Sequence, residues 1–224
     1  MTPLPRRRPG CHPRQLALVV ATIANFGVAS TVQISVKDEK GLPVEDAVVS
    51  LTALDGNAAS KPLAAGQPCE IAQRDQEFVP FVTAVTVGTP IAFPNRDVVQ
   101  HHVYSLSKPK KFELPLYHPG KSEVLAFDQP GVVTVGCNIH DWMLAYIVVL
   151  PTPYFAKTEA AGRAAVDAPA GRYRAEVWQP RLAAPVNREI VLAGTETAPL
   201  EFVLRLKPDR RIRRAPDAKS GGYR

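Results

Sequence analysis

Apolar residues recur at every second position, or in short valine-rich runs, along the chain from residue 31 onward. A period of two is typical of β-strands with one buried face. The segments that this pattern predicts as strands are 31–36, 47–51, 79–87, 89–93, 102–106, 124–127, 132–135 and 145–150. The 22 prolines oppose long helices, because proline removes a backbone donor. We therefore predict an all-β fold of the sandwich type.

The first 30 residues have a different pattern from the rest. Four arginines precede an apolar run at residues 16–28, which ends in the small residues Ala29 and Ser30. This is the layout of a secretory signal peptide, and the run is short for a membrane span. We expect residues 1–30 to be a signal peptide cleaved near Ala29 or Ser30, which leaves a periplasmic protein without a stable membrane span. An uncleaved anchor is the alternative.

The formal net charge of +6 comes from the two ends of the chain. Residues 31–204 carry 15 basic and 19 acidic side chains, so the body is mildly acidic. Residues 205–224 carry eight basic and two acidic side chains. A short basic end is usually solvated, and we predict that residues 207–224 form a disordered tail. Binding of nucleic acid or anionic lipid is the alternative for the tail, and we expect no nucleic-acid partner.

One short segment carries metal-binding chemistry. Cys137, His140 and Met143 follow one another at Cys-x2-His-x2-Met spacing, directly after a predicted strand. A thiolate, an imidazole and a thioether together suit copper, because sulfur stabilises the reduced ion while nitrogen binds both oxidation states. A second imidazole is available upstream at His101-His102. These residues predict a mononuclear copper site.

After export, the mature chain keeps Cys69 and Cys137. The two could form a disulfide in an oxidising compartment, and such a bridge would contradict the copper site. Since Cys137 stands at metal-ligand spacing, we expect it to be a ligand and Cys69 to be an unpaired thiol.

Residues 70–150 resemble cupredoxins, most closely amicyanin and plastocyanin, in the form found in exported "methylamine utilization" proteins. The matching segments, in order, are Phe78-Val79-Pro80, Val87-Gly88-Thr89-Pro90-Ile91-Ala92-Phe93-Pro94-Asn95, Asp97, His101-His102-Val103, Lys111-Phe112-Glu113-Leu114, Phe127-Asp128-Gln129-Pro130-Gly131 and the Cys137–Met143 loop. The resemblance implies a Greek-key cupredoxin sandwich over residues 65–150. It also implies one type 1 copper, with His101, Cys137 and His140 in a trigonal plane and Met143 as the weak axial ligand.

The choice of His101 over His102 follows from aligning residues 95–101 with the first-ligand strand of the cupredoxins. Adjacent residues of a strand point to opposite faces, so one of the two imidazoles can aim at the metal. We predict His101 as the ligand and keep His102 as the alternative.

A second resemblance is split between the two ends of the mature chain. Residues 33–49 look like the opening of a carboxypeptidase-regulatory-like sandwich, and residues 158–178 look like its continuation. The resemblance implies a second small sandwich from residues 31–54 and 151–206, with the cupredoxin domain inserted into it. One enlarged sandwich is the alternative. We expect Gly162 and Gly171 to turn hairpins, and Tyr173, Ala175 and Val177 to share one face.

The ligand set indicates a one-electron carrier that exchanges electrons with redox protein partners. The chief alternative is a module that stores, delivers or senses copper, and the next is an interaction protein with a vestigial metal site. We do not expect an enzyme, because the sequence lacks a Gly-rich phosphate loop, a Gly-x-Ser-x-Gly elbow and a second histidine cluster.

Overall fold

The computed structural model describes residues 29–55, 69–193 and 199–209, and this part of the chain consists of strands and turns without a helix. Its strands are β1 (Ala29–Asp38), β2 (Val48–Ala53), β3 (Cys69–Glu70), β4 (Ala72–Arg74), β5 (Glu77–Val79), β6 (Val82–Thr86), β7 (Thr89–Pro94), β8 (His101–Ser107), β9 (Lys110–Tyr117), β10 (Ser122–Phe127), β11 (Gly131–Cys137), β12 (Leu144–Leu150), β13 (Phe155–Lys157), β14 (Arg163–Pro169), β15 (Gly171–Trp178), β16 (Val186–Leu192) and β17 (Leu200–Leu204). The all-β prediction is confirmed.

The predicted signal peptide and the predicted basic tail fall mainly outside the described residues. Only Ala29 and Ser30 of the former and residues 207–209 of the latter are described. Ala29 and Ser30 pair with β14 at the start of β1, so cleavage after Ser30 would shorten this strand by its first two residues. Within the ranges described, no helix is long and apolar enough to cross a membrane.

The central strands form a sandwich of their own. One sheet has the order β6-β12-β11-β8-β9, and the facing sheet has the order β10-β7-β3, with β4 and β5 as an added hairpin. Fully buried side chains between them include Phe93, Phe127 and Ile147. Because inward residues alternate with outward ones, the strand pattern of the sequence supplies this core directly.

The flanking strands form a second sandwich. Its sheets have the orders β14-β1-β17 and β13-β2-β15-β16. Tyr173, Ala175 and Val177 all lie in its core, as their alternation predicts. In the described part of the chain the flanking strands pair only with one another. The boundaries 31–54 with 151–206 and 65–150 follow the same division, and their standing as separate domains stays a prediction.

A third apolar cluster joins the two sandwiches. Its buried members are Val48 of the flanking sandwich and Val82, Val148 and Leu150 of the central one. Strand β12 is covered on both faces, since Ala145, Ile147 and Val149 point into the central core. This explains why its sequence reads as a nearly continuous apolar run.

Two local predictions are wrong. The single strand predicted at 79–87 is divided into β5 and β6, because Pro80 has no N–H to offer a ladder. Gly162 and Gly171 do not close hairpins, since β13, β14 and β15 alternate between opposite sheets. The two glycines lie instead where the chain crosses from one sheet to the other.

Candidate metal centre

The structure brings His101, Cys137 and His140 together. Their ligand atoms, the two imidazole nitrogens and the sulfur, all lie within 4.8 Å of one another. The sulfur of Cys137 is 3.9 Å from Nδ1 of His101 and 3.6 Å from Nδ1 of His140. The two imidazole ring centres are 5.0 Å apart.

Two neighbouring strands of the five-stranded sheet position these side chains. His101 opens β8 and Cys137 closes β11, and the antiparallel pairing sets Cys137 opposite Val103. His140 follows in a tight turn that is closed by a 3.0 Å hydrogen bond from the Met143 N–H to the His140 carbonyl. The sheet thereby holds the thiol and one imidazole, and the turn returns the second imidazole to them.

The spacing of these atoms fits a bound metal ion. A metal with nitrogen at about 2.0 Å and sulfur at about 2.3 Å, in tetrahedral or trigonal geometry, keeps these two atoms roughly 3.5–3.7 Å apart. The observed separations of 3.6 and 3.9 Å lie at or just beyond that range. A thiol with two imidazoles is also the donor set that soft to borderline metals such as copper prefer.

Burial differs among the predicted ligands. His101 is fully buried, and Cys137 and Met143 are almost so, whereas His140 is half-buried. Met143 packs in the same core cluster as Cys137. The metal-binding role of all four residues stays a prediction. The protein core encloses the group on the side of His101, Cys137 and Met143, and the His140 turn forms its other side.

His102 faces away from this group. Its Nε2 lies 2.9 Å from Oε1 of Glu113 on β9, and its ring is 5.9 Å from that of Tyr104. A backbone hydrogen bond joins the two segments that carry the predicted ligands, from the Asn138 N–H to the His102 carbonyl at 3.4 Å.

Asp97 determines which nitrogen of His101 faces the sulfur. Its Oδ2 is 3.1 Å from Nε2 of His101, and its side chain is 7% exposed. Since an ionised carboxylate only accepts, Nε2 must carry the proton, which leaves the Nδ1 lone pair directed toward Cys137. The carboxylate thus presents His101 in the form that a metal requires.

The electrostatics agree with this proton assignment. Burial lowers the pKa of His101 below its ordinary value, and the bond to Asp97 only partly opposes this effect. Burial raises the pKa of Asp97, but hydrogen bonds from the Gln76 and Val98 amides and from His101 outweigh it and leave that pKa below its ordinary value. Asp97 is therefore charged and His101 neutral near pH 7.

A buried polar network supports the segment before His101. The Asn95 side chain donates to the carbonyls of Val99 and Tyr117 and accepts from the Asp97 N–H. The Tyr117 hydroxyl lies 2.6 Å from Oε1 of Gln73 and 2.8 Å from the Phe93 carbonyl, and burial raises its pKa. Since buried polar groups are costly when unpaired, such a network favours one conformation of the segment.

Asn95 and Asp97 lie in the segments that resemble cupredoxins, but their roles could not be predicted from the sequence. The available signal was the spacing, because Asp97 stands four residues before His101 and two after Asn95. Gln73 and Gln76 carried no signal, since their contacts depend on how the β4–β5 hairpin packs.

Cys69 and Cys137 are both free thiols, and burial raises the pKa of Cys69.

Structural comparisons find proteins of the cupredoxin class. A purple cupredoxin from Nitrosopumilus maritimus is 22% identical over 37% of this chain and 99% of its own, with a TM-score of 0.34. A mutant of amicyanin in its reduced Cu(I) form is 17% identical over 45% of this chain and 99% of its own, with a TM-score of 0.35. The copper-containing nitrite reductase from Thermus scotoductus is 24% identical over 44% of this chain and 25% of its own, with a TM-score of 0.36.

No protein-family model and no curated protein matches the sequence. The TM-scores of these three structures are all below 0.5.

Proposed function

We propose that this protein is an exported type 1 (blue) copper protein of the cupredoxin type, which carries single electrons between redox proteins in the periplasm. The observation that carries the proposal is the convergence of the Cys137 sulfur with Nδ1 of His101 and of His140. Met143 is proposed as the weak fourth ligand, and one copper ion is expected per chain. The proposal includes kinship with the exported methylamine utilization proteins.

Copper bound by this donor set gains and loses one electron. The chain contributes a nearly fixed set of ligands, because β8 and β11 hold His101 and Cys137 inside a packed sheet. Buried His101, Cys137 and Met143 leave little room for a substrate, so electron transfer is favoured over catalysis. His140, the most exposed of the four, is the natural point of electron entry and exit.

A visible absorption spectrum of the Cu²⁺-loaded chain tests the proposal. We expect an intense blue band from the thiolate–copper bond, lost in Cys137→Ser and kept in the matched control Cys69→Ser. A blue Cys137→Ser variant, or a colourless wild-type chain with copper bound elsewhere, would contradict the site.

Electrochemistry separates the carrier from the storage, delivery or sensing alternative. A carrier should keep its copper against a chelator and show reversible one-electron voltammetry. Rapid loss of copper without reversible redox behaviour would favour the alternative.

A further inference from the structure

The turn between β4 and β5 contacts both segments that carry the predicted ligands. The Gln76 N–H donates to Oδ2 of Asp97 at 2.6 Å, and Asp97 in turn accepts from His101. The Gln76 carbonyl accepts from Nε1–H of Trp142 at 2.9 Å, and the Trp142 ring lies 5.3 Å from the His140 ring. The main chain of Gln76 is therefore linked to His101 through Asp97 and to His140 through Trp142.

The backbone of this turn is unusual. Asp75 and Gln76 have φ angles of 52° and 58°, in the left-handed region, although neither is glycine. Two successive left-handed residues form the tight turn that matches the twist of a hairpin, and glycine usually fills the second position. A residue with a side chain has a conformational cost there, which surrounding contacts must offset.

The hairpin is firmly attached on the His101 side. The Arg96 N–H donates to the Gln73 carbonyl at 2.9 Å, and the Tyr117 hydroxyl contacts the Gln73 side chain. The Asp97 carboxylate is 7% exposed, so its bond to the Gln76 amide is shielded from water. On the other side Trp142 is half-buried and packs against the central core, which limits how far its indole can move.

We propose that the main chain of Gln76 is a positioning element that couples the two ligand segments, so that order at His101 and order at His140 rise and fall together. The proposal rests on the proposed function in so far as these histidines bind copper. The coupling itself belongs to the polypeptide and exists before any metal binds. Neither Gln76 nor Trp142 is proposed to touch the ion.

Hydrogen exchange in the copper-free protein tests the coupling from both sides. Trp142→Phe keeps an aromatic ring and removes the donor to the Gln76 carbonyl, and it should speed exchange of the Gln76 amide about tenfold, the effect of losing about 1.4 kcal/mol. Asp97→Ala removes the other partner and should speed exchange of the Trp142 indole N–H by a similar factor. Coupling free energies are reciprocal, so both effects are required.

Three further variants serve as controls. Trp178→Phe makes the same chemical change at a tryptophan that packs against the cluster between the two sandwiches. It should alter exchange of neither the Gln76 amide nor the Trp142 indole N–H. Gln76→Gly keeps the main-chain groups and should leave both protected, which separates the peptide from its side chain. Asp97→Asn retains an acceptor and should restore most of the protection. If Asp97→Ala does not fold, Trp142→Phe still tests the coupling through exchange of the Gln76 amide.

Copper gives an independent readout. Release of Cu²⁺ to a competing chelator should be about fivefold faster from Trp142→Phe than from Trp178→Phe. This factor is smaller than the roughly tenfold effect of losing one whole hydrogen bond. Unchanged exchange at either hydrogen would overturn the coupling even if copper binds normally. A wild-type chain that binds no copper would instead refute the proposed function, while the exchange data would still decide the coupling.

Discussion

Adjacent histidines on one strand have opposite surroundings in this protein. His101 points at Cys137 and is oriented by Asp97, whereas His102 points at Glu113 on the edge strand. The period of two in a β-strand accounts for the difference, because successive side chains alternate between faces. A single step along the chain thus separates a candidate ligand from a histidine that contacts Glu113 on the opposite face.

This alternation predicts unequal effects of two alanine variants. His101→Ala should lose the blue band, or recover it only with added imidazole, because it removes one nitrogen beside Cys137. His102→Ala should keep the band, since the contacts it removes, with Glu113 and Tyr104, lie on the opposite face of β8. Absorption spectra of the Cu²⁺-loaded variants check this, and the reverse outcome would show that the other face of β8 meets the metal.

Met143 is a candidate ligand whose side chain is also a core residue, and a substitution of similar volume separates the two roles. Met143→Leu should keep copper bound and raise the reduction potential, because removing the axial donor leaves three ligands, and the oxidised ion loses more from a missing donor than the reduced ion does. Packing should change little, since Leu and Met exchange in cores for less than about 1.5 kcal/mol. Protein-film voltammetry measures the potential, and an unchanged value would assign Met143 to the core alone.

At the scale of residues, the sequence predicts best those residues that are chemically distinctive, rare in the chain and close together in one motif. Cys137, His140 and Met143 share one motif, so they could be named as candidate ligands without a fold. The orientation of His101 by Asp97 could not, because it depends on the loop conformation that the Asn95 side chain stabilises. Hydrogen-bond partners of this kind are set by tertiary packing and leave only a weak trace in sequence.

At the scale of elements, most strands with a buried apolar face were predictable, including the edge strands β6 and β10, whereas the edge strands β9 and β16 were not. Strand β16 lies at an edge, and its first four residues are exposed. Strand β9 is also an edge strand, begins with two lysines and contains Pro115. Charged residues and proline are common at edges, where they discourage pairing with other chains, and they also hide the alternation.

The turn before β14 shows how an element boundary depends on one glycine. Gly162 has a φ of +68°, and a Cβ there would lie 2.4 Å from the Val36 carbonyl oxygen. Gly162→Ala should lower the free energy of unfolding by roughly 3 kcal/mol, from the left-handed conformation and the clash together. Urea denaturation of the copper-free protein measures this.

Gly41→Ala is the matched control for that variant. Gly41 has a φ of +79°, but a Cβ added there would meet no atom within 4 Å, so only the backbone cost of about 1 kcal/mol applies. Equal losses in the two variants would mean that the turn at Gly162 moves aside at little cost.

At the scale of the whole molecule, the chain passes from the flanking sandwich to the central one between β2 and β3, and returns between β12 and β13. Between the two sandwiches the apolar cluster of Val48, Val82, Val148 and Leu150 forms a packed contact, and Phe81, Tyr146 and Trp178 cover its edges. The sequence predicts the split of the flanking sandwich from two separated motifs, and this domain assignment stays a prediction. It did not indicate this contact, because the outward residues of β12 look like ordinary core residues.

The contact should make the two sandwiches unfold together. We expect one urea transition for the wild-type chain, followed equally by far-UV circular dichroism and by tryptophan fluorescence. The double variant Val148→Ala with Leu150→Ala removes much of the shared cluster, at a cost of several kcal/mol, and should separate the transition into two.

Val133→Ala is the control for that variant, since Val133 is fully buried in the central core alone. It should lower the midpoint and keep a single transition, because it weakens one sandwich without loosening the contact. Two transitions already in the wild-type chain would show that the shared cluster is too small to couple the sandwiches. In that case stabilisation by bound copper would remain within the central sandwich, whereas coupled sandwiches would share it.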